Sequence, residues 1–292
     1  MSRLSFCAVL IVFVFTVSAA AQEIPFKIEK GYLLIAGKIK QDIPFEAAVS
    51  TGSTYSFYNG SSLKKLRLVE STSNDISGSA ISKESAVSLV YVPQLTLADQ
   101  KPIELTMLPR PKAFEAMSQA LGRNIDFVLG ADYFEGRIVQ FDFRSHVIRF
   151  LDKAPVDYKP GTSTTGSGTI RMIFKMTGHV QSIFGDMRTL PVADEITLNG
   201  NKVPSLLNTG VVMPVTAGPY IAKKLANGKE SNGRTTISKV SVGDYEMADV
   251  PAMLSDIKDD NDKLYGAVVG LGLLQNFTIT FDWKNKWIVL EK

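Results

Sequence analysis

A chain of 292 residues, 45% apolar and 21% charged, has the balance of a globular protein and the length for two domains of ordinary size. A formal charge of +3 is far from the dense basic stripe that nucleic-acid binding needs, so no nucleic-acid partner is expected. One cysteine (Cys7) and two histidines (His146, His179) leave no material for thiolate metal sites, a cysteine nucleophile in the mature chain or a histidine-rich centre, so neither a metal nor a cofactor is expected.

The first predicted element is a targeting segment. Arg3 supplies a positive start, residues 4–17 form an apolar run, and Ala19-Ala20-Ala21 offers small residues for cleavage. This is the anatomy of a secretory signal peptide over residues 1–21, cut after Ala21. The apolar run falls short of the roughly 20 residues a membrane span requires, so no stable membrane anchor is expected and the mature chain is placed in the periplasm or outside the cell. Cys7 lies inside the signal, so the mature chain must be held by its core without disulfides.

Strand signals dominate the mature chain. Tyr32-Leu33-Leu34-Ile35-Ala36 and the apolar run 45–49 open the series. Short helices are predicted over 61–68, capped near Asn59, and over 113–121, ended by Gly122. Residues 138–143 alternate with a two-residue period, and Arg144-Ser145-His146 reads as the hairpin turn after them. The segment 153–169 is rich in Pro, Gly, Ser and Thr and reads as a linker between lobes spanning 22–152 and 170–292. Beyond it, His179 is placed in a turn after Gly178, Asn199-Gly200 marks a second turn, 203–207 is a strand, and 219–225 is a helix with proline in its first turn. Residues 278–283 again alternate, at least in part. Asn59-Gly60-Ser61 and Asn276-Phe277-Thr278 fit the glycosylation tripeptide. The fold class expected is mostly β with a few short helices.

The two halves repeat each other. The same shift of 140 residues relates Val128-Leu129-Gly130 to Val268-Val269-Gly270, Phe141-Asp142-Phe143 to Phe281-Asp282-Trp283, and Val147-Ile148-Arg149-Phe150 to Trp287-Ile288-Val289-Leu290. A pair of Thr-Gly loops, Ser50-Thr51-Gly52-Ser53 and Asn208-Thr209-Gly210, repeats at a shift of 158, which makes the second copy 18 residues shorter between its two landmarks.

Apolar strand, Thr-Gly loop, two apolar residues and a glycine, twice in order, resemble the pepsin/retropepsin superfamily of aspartic peptidases, in its bacterial secreted two-lobed form. The resemblance spans about 24–292. It implies two related six-stranded barrel-like lobes, the acid-protease fold. It also implies that Ser50 and Asn208 occupy the positions of the two catalytic aspartates, and that Thr51 and Thr209 hydrogen-bond across the loops. Gly52 and Gly210 would let the loops approach, and a flap would lie within 71–92 with Gly78 near its tip.

The departures decide the chemistry. Two close carboxyls that share a proton drive the aspartic mechanism. A serine cannot deprotonate water near neutral pH, and an asparagine never carries the charge. No catalytic residue is therefore expected, and the cleft loops Ser50, Thr51, Gly52, Ser53, Asn208, Thr209 and Gly210 are read as the frame of a vacated site. Asp42, Glu46, Asp194 and Glu195 are the acids near the loops in sequence, with Asp42 and Glu195 assigned to exposed strand ends. Ser50 lacks the Gly-x-Ser-x-Gly setting of a nucleophile. The reading preferred is a pseudopeptidase that binds an extended peptide or unfolded protein segment between its lobes. The alternatives are an active peptidase or other hydrolase using a displaced acid, and a purely structural β module.

Overall fold

The computed structural model describes residues 23–73, 87–155, 170–182, 184–225, 233–255 and 264–292. The signal segment, Gly78 and most of the predicted linker lie outside these residues.

In the first half β1 (Glu23–Glu29), β2 (Tyr32–Ile39) and β3 (Ile43–Val49) form a meander, and β4 (Phe57–Tyr58) leads into a 3-10 turn (Gly60–Ser62) and α1 (Leu63–Leu66). The Asn59 side chain accepts the Ser61 N–H at 3.1 Å, which satisfies a donor that the start of the helical segment leaves open. β5 (Glu70–Ser73) and β6 (Val87–Thr96) pair antiparallel as the base of a hairpin where the flap is expected; the segment between them lies outside the described residues. β7 (Ile103–Pro109), α2 (Pro111–Leu121), β8 (Phe127–Leu129), α3 (Ala131–Phe134), β9 (Ile138–Asp142) and β10 (Val147–Leu151) complete it. Helix α2 starts two residues before the sequence-based boundary because Pro111 fits the first turn, where its missing N–H costs nothing, and it stops at Gly122 with φ +70°.

The second half contains β11 (Arg171–Lys175), β12 (Gly178–Gln181), β13 (Met187–Leu190), β14 (Val192–Leu198), β15 (Asn201–Asn208), β16 (Val215–Ala217), α4 (Pro219–Leu225), β17 (Gly233–Val242), β18 (Tyr245–Leu254), β19 (Ala267–Gly270), α5 (Leu271–Leu274), β20 (Thr278–Asp282) and β21 (Trp287–Glu291). No described helix is long and apolar enough to cross a membrane.

Each half closes a six-strand ring. In the second half the order is β14-β15-β19-β16-β18-β17. In the first it is β2-β3-β8-β4-β7-β6, and β6 returns to β2 through Lys38↔Thr96 and Ile39↔Leu95. The rings match strand for strand. Parallel pairing of Ala47↔Phe127 and Val49↔Leu129 is repeated as Ser205↔Ala267 and Leu207↔Val269. Closure removes the open sheet edges that would otherwise invite aggregation.

Below the rings β11-β21-β20-β9-β10-β1 form one antiparallel sheet shared by both halves. At its centre Gln140 pairs with Thr280, its own counterpart under the 140-residue shift, and the Gln140 amide donates to the Thr280 hydroxyl at 3.3 Å. A pseudo-two-fold axis therefore passes through this pair. The turns beside it are copies too. Asp142 accepts backbone N–H groups of Arg144 and Ser145, Asp282 accepts that of Asn285, and His146 and Lys286 both adopt positive φ, +55° and +66°. His146 is exposed in that turn, as its sequence setting suggests.

The second histidine is not where the sequence puts it. His179 lies within β12, opposite Thr189, and not in a turn. Gly178 serves close packing there: a Cβ would fall 2.6 Å from Val192 Cγ2 and 2.9 Å from the Leu190 carbonyl. Glu195 is likewise not at a strand end. With Asp194 it forms an exposed bulge inside β14, between the pairs at Ala193 and Ile196.

The shared sheet is packed by aromatics. Phe281 meets Phe141 edge-on at 5.7 Å and lies 5.0 Å from Trp283, which stacks on Phe134 at 5.3 Å. All four are fully buried or nearly so. Phe281→Ala should cost about 3–5 kcal/mol in chemical denaturation. Because the cluster joins both halves, it should lower one common transition instead of detaching one lobe.

Candidate functional site

β3 and β15 deliver the two Thr-Gly loops to the same place, at the junction of the rings. Thr51 Oγ1 donates to the Leu207 carbonyl (2.8 Å) and accepts the Thr209 N–H (3.1 Å). Thr209 Oγ1 donates to the Val49 carbonyl (2.9 Å) and accepts the Thr51 N–H (3.2 Å). Both threonines are fully buried, so each hydroxyl meets the hydrogen-bonding needs of the opposite loop in a place water does not reach.

The glycines have a steric reason. A Cβ on Gly52 would lie 2.6 Å from Asn208 Cγ, and one on Gly210 would lie 2.4 Å from Ser50 Oγ. Each loop presses its first residue against the glycine of the other. The later glycines brace the loops from behind: a Cβ on Gly130 would sit 2.3 Å from the Tyr55 carbonyl, and one on Gly270 would sit 2.2 Å from the Met213 carbonyl. The N–H of Ala131 donates to the Ser53 carbonyl (2.7 Å), and that of Leu271 donates to the Val211 carbonyl (2.6 Å).

The symmetry of the loops breaks at the centre. Ser50 Oγ donates to Asn208 Oδ1 at 3.0 Å. The same Oδ1 accepts the N–H of Gly52 at 3.2 Å and of Gly210 at 2.8 Å. Two backbone donors on one atom fix it as the amide oxygen. Since Ser50 has one proton and gives it to Asn208, the 2.8 Å contact between Ser50 and Ser53 hydroxyls must have Ser53 as donor. Asn208 Nδ2 makes no hydrogen bond with any described residue. Among the described residues the centre is therefore neutral, with an amide donor left over.

Ser50, Ser53, Asn208, Thr209 and Gly210 line a cavity of about 330 Å³. Its other described walls are apolar, from Tyr32, Phe57, Met117, Val128 and neighbours; among the described lining residues Arg110 is the single charged one and none is a carboxylate. Sequence reasoning missed Arg110, although the Arg110-Pro111 step just ahead of an apolar helical pattern marks a helix start.

The acids near the loops in sequence are elsewhere in space. Asp42 is exposed in the turn before β3. Glu46 is held by Arg123 (Nη2 to Oε1 3.0 Å) and Lys27 (3.0 Å), and the Arg123 guanidinium keeps its carboxyl below the usual range. Asp194 and Glu195 face solvent. Asp132, a buried acid two residues after Gly130, accepts Ser56 N–H (2.8 Å) and Ser56 Oγ (2.6 Å) and lies 3.7 Å from Arg188. Burial pushes its carboxyl up, opposed by the Ser56 hydrogen bonds and by Arg188. Arg188, from β13, also donates to the Thr54 carbonyl at 3.2 Å and stacks over Tyr55, so this cluster clasps the halves together beside the cleft. Among the described residues no group of three or more acids, histidines or cysteines is arranged to hold a metal.

No protein-family model and no curated protein sequence matches the chain. Among solved structures it is similar to basic 7S globulin from soybean, at 8% identity and a TM-score of 0.48, with 92% of this chain and 94% of that chain covered. It is also similar to a retropepsin-like aspartic protease from Rickettsia conorii, at 16% identity and a TM-score of 0.31, with 42% of this chain and 91% of that chain covered. The two closed rings and the cross-bonded loops make this a β fold of aspartic-protease-like type.

Replacing Thr51 by Val should leave the Thr209 N–H and the Leu207 carbonyl buried without partners, and should cost about 2–4 kcal/mol in equilibrium unfolding. Thr209→Val should match it. The double variant should lose clearly less than the sum, because both changes empty one network.

Proposed function

We propose that the chain is a secreted, two-lobed pseudopeptidase that binds an extended peptide or unfolded protein segment in its inter-lobe cleft and does not cut it. The observation that carries this reading is the 3.0 Å hydrogen bond between Ser50 and Asn208, in a cavity whose described lining residues include no carboxylate. Positioned acid–base catalysis contributes about 10² to 10⁴ for one group. The aspartic mechanism needs two such groups, and the loops here offer a hydroxyl and an amide. A displaced acid is not supported by Glu46, Asp194 or Glu195, none of which lines the cavity. A purely structural module is disfavoured by the cavity itself, which the loop pair leaves unfilled. Main-chain pairing along such a cleft needs no catalytic acid.

The test is a peptide-library capture run beside a peptidase assay from strongly acidic to neutral pH, on mass-verified protein. Retention of intact peptides without cleavage is expected. Pepstatin-sensitive cleavage by the purified chain would overturn the inactive assignment, and failure to retain any peptide would overturn the binding one.

Two variants probe the vacated centre by pH. A carboxylate at position 208 would accept Gly52 N–H, Gly210 N–H and Ser50 Oγ–H, which favours its charged form and lowers its folded pKa. Its contribution to stability should be present at neutral pH and lost as pH falls through that lowered value. In Ser50→Asp/Asn208→Asp two carboxyls would meet where a 3.0 Å contact now stands, so one is held protonated with a raised folded pKa. That acid destabilises above its unfolded pKa. The double variant should melt below the natural chain at neutral pH and recover in acid, whereas Asn208→Asp should lose ground in acid. Thermal melts at the two pH values check this; parallel profiles would count against the paired geometry.

A further inference from the structure

We propose that the cleft selects segments in which an apolar side chain neighbours a carboxylate, with Arg110 as the residue that recognises the acid. This rests on the peptide-binding reading and names the class of peptide that the same cavity takes. The cavity beside Ser50 and Asn208 has room for a large apolar side chain among Tyr32, Phe57, Met117 and Val128. Arg110 is the only charged residue among the described residues of its lining. Among the described residues this guanidinium makes no ion pair; its one contact is the face of the Phe57 ring, 4.9 Å away. Stacking on a ring leaves the N–H groups in the guanidinium plane available, and that planar fork matches a carboxylate.

None of the described acids meets this need. Glu70 is taken by the Tyr58 hydroxyl at 2.7 Å, Glu46 by Arg123 and Lys27, and Asp132 by Ser56. Glu70 and Glu115 line a neighbouring cavity of about 480 Å³ that shares Arg110, yet neither pairs with it. The centre of the cleft is compatible with an acid nearby. An ionised dyad would repel a carboxylate, whereas Ser50 and Asn208 are neutral, and the spare N–H groups of Asn208 suit the carbonyl of an extended backbone. The ligand chemistry that complements the lining is thus an apolar anchor, a main-chain acceptor and a negative charge towards Arg110.

The experiment uses the mature chain and fluorescently labelled short peptides, alike except that the residue flanking a central Phe or Leu is Glu, Gln or Lys. Polarisation titrations at low and high salt should rank Glu above Gln above Lys, with Glu favoured over Gln by about fivefold, a difference that shrinks in high salt. Arg110→Gln should bind the Glu and Gln peptides equally, and Arg110→Glu should prefer Lys. Arg110 is exposed and buries no hydrogen bond, so both variants should keep the natural melting temperature. Equal affinity of the natural chain for all three peptides would overturn the acid preference while leaving peptide binding intact. Binding of none of them would overturn the peptide-binding reading itself, and this inference with it.

Discussion

Four hydrogen bonds between Thr51, Thr209 and the strands behind them hold the molecule in its functional shape. Each threonine side chain gives its proton to a carbonyl of the opposite half and takes a backbone N–H in return, at 2.8–3.2 Å and with no water access. Buried polar groups of this kind are costly unless paired. The two loops can therefore be satisfied only together, and only in one mutual orientation. Gly52 and Gly210 follow from that constraint, since any side chain there would occupy the space of Asn208 or Ser50. The rings, the braces at Gly130 and Gly270 and the shared sheet all position strands so that this exchange closes.

The same frame encloses a neutral centre. Ser50 and Asn208 form a neutral, internally satisfied pair, and the Oδ1 of Asn208 takes three donors, from Ser50, Gly52 and Gly210. Loop geometry is set by the threonines and glycines, so it does not depend on acids between them. This separates the scaffold from the side chains that stand at its centre. What the described residues of the cavity offer is apolar wall, amide donor and one cation.

The duplication was legible at the residue level wherever both copies kept the same local rule. Asp142 and Asp282 accept turn N–H groups and His146 and Lys286 take the left-handed conformation, so the 140-residue shift survives in geometry as well as in letters. The glycine end of α2 and the cap at Asn59 were readable for similar reasons, because capping is a local interaction. Sequence misplaced His179 and Glu195. A glycine beside a histidine looks like a turn, but Gly178 is there so that Val192 can approach, and the bulge at Asp194 and Glu195 is set by the partner strand β15.

From the sequence alone came the mostly β class, the internal repeat, the pair of Thr-Gly loops and the absence of acids from Ser50 and Asn208. These depend on residue identity and on short-range periodicity. Only the folded chain decided that the loops meet, that Asn208 turns its oxygen towards Gly52, Gly210 and Ser50, that Glu46 is spent on Arg123 and Lys27, and that Arg110 stands over the cavity. Those facts join residues as much as 158 positions apart, and such proximity arises from ring closure and strand pairing, which no local pattern encodes.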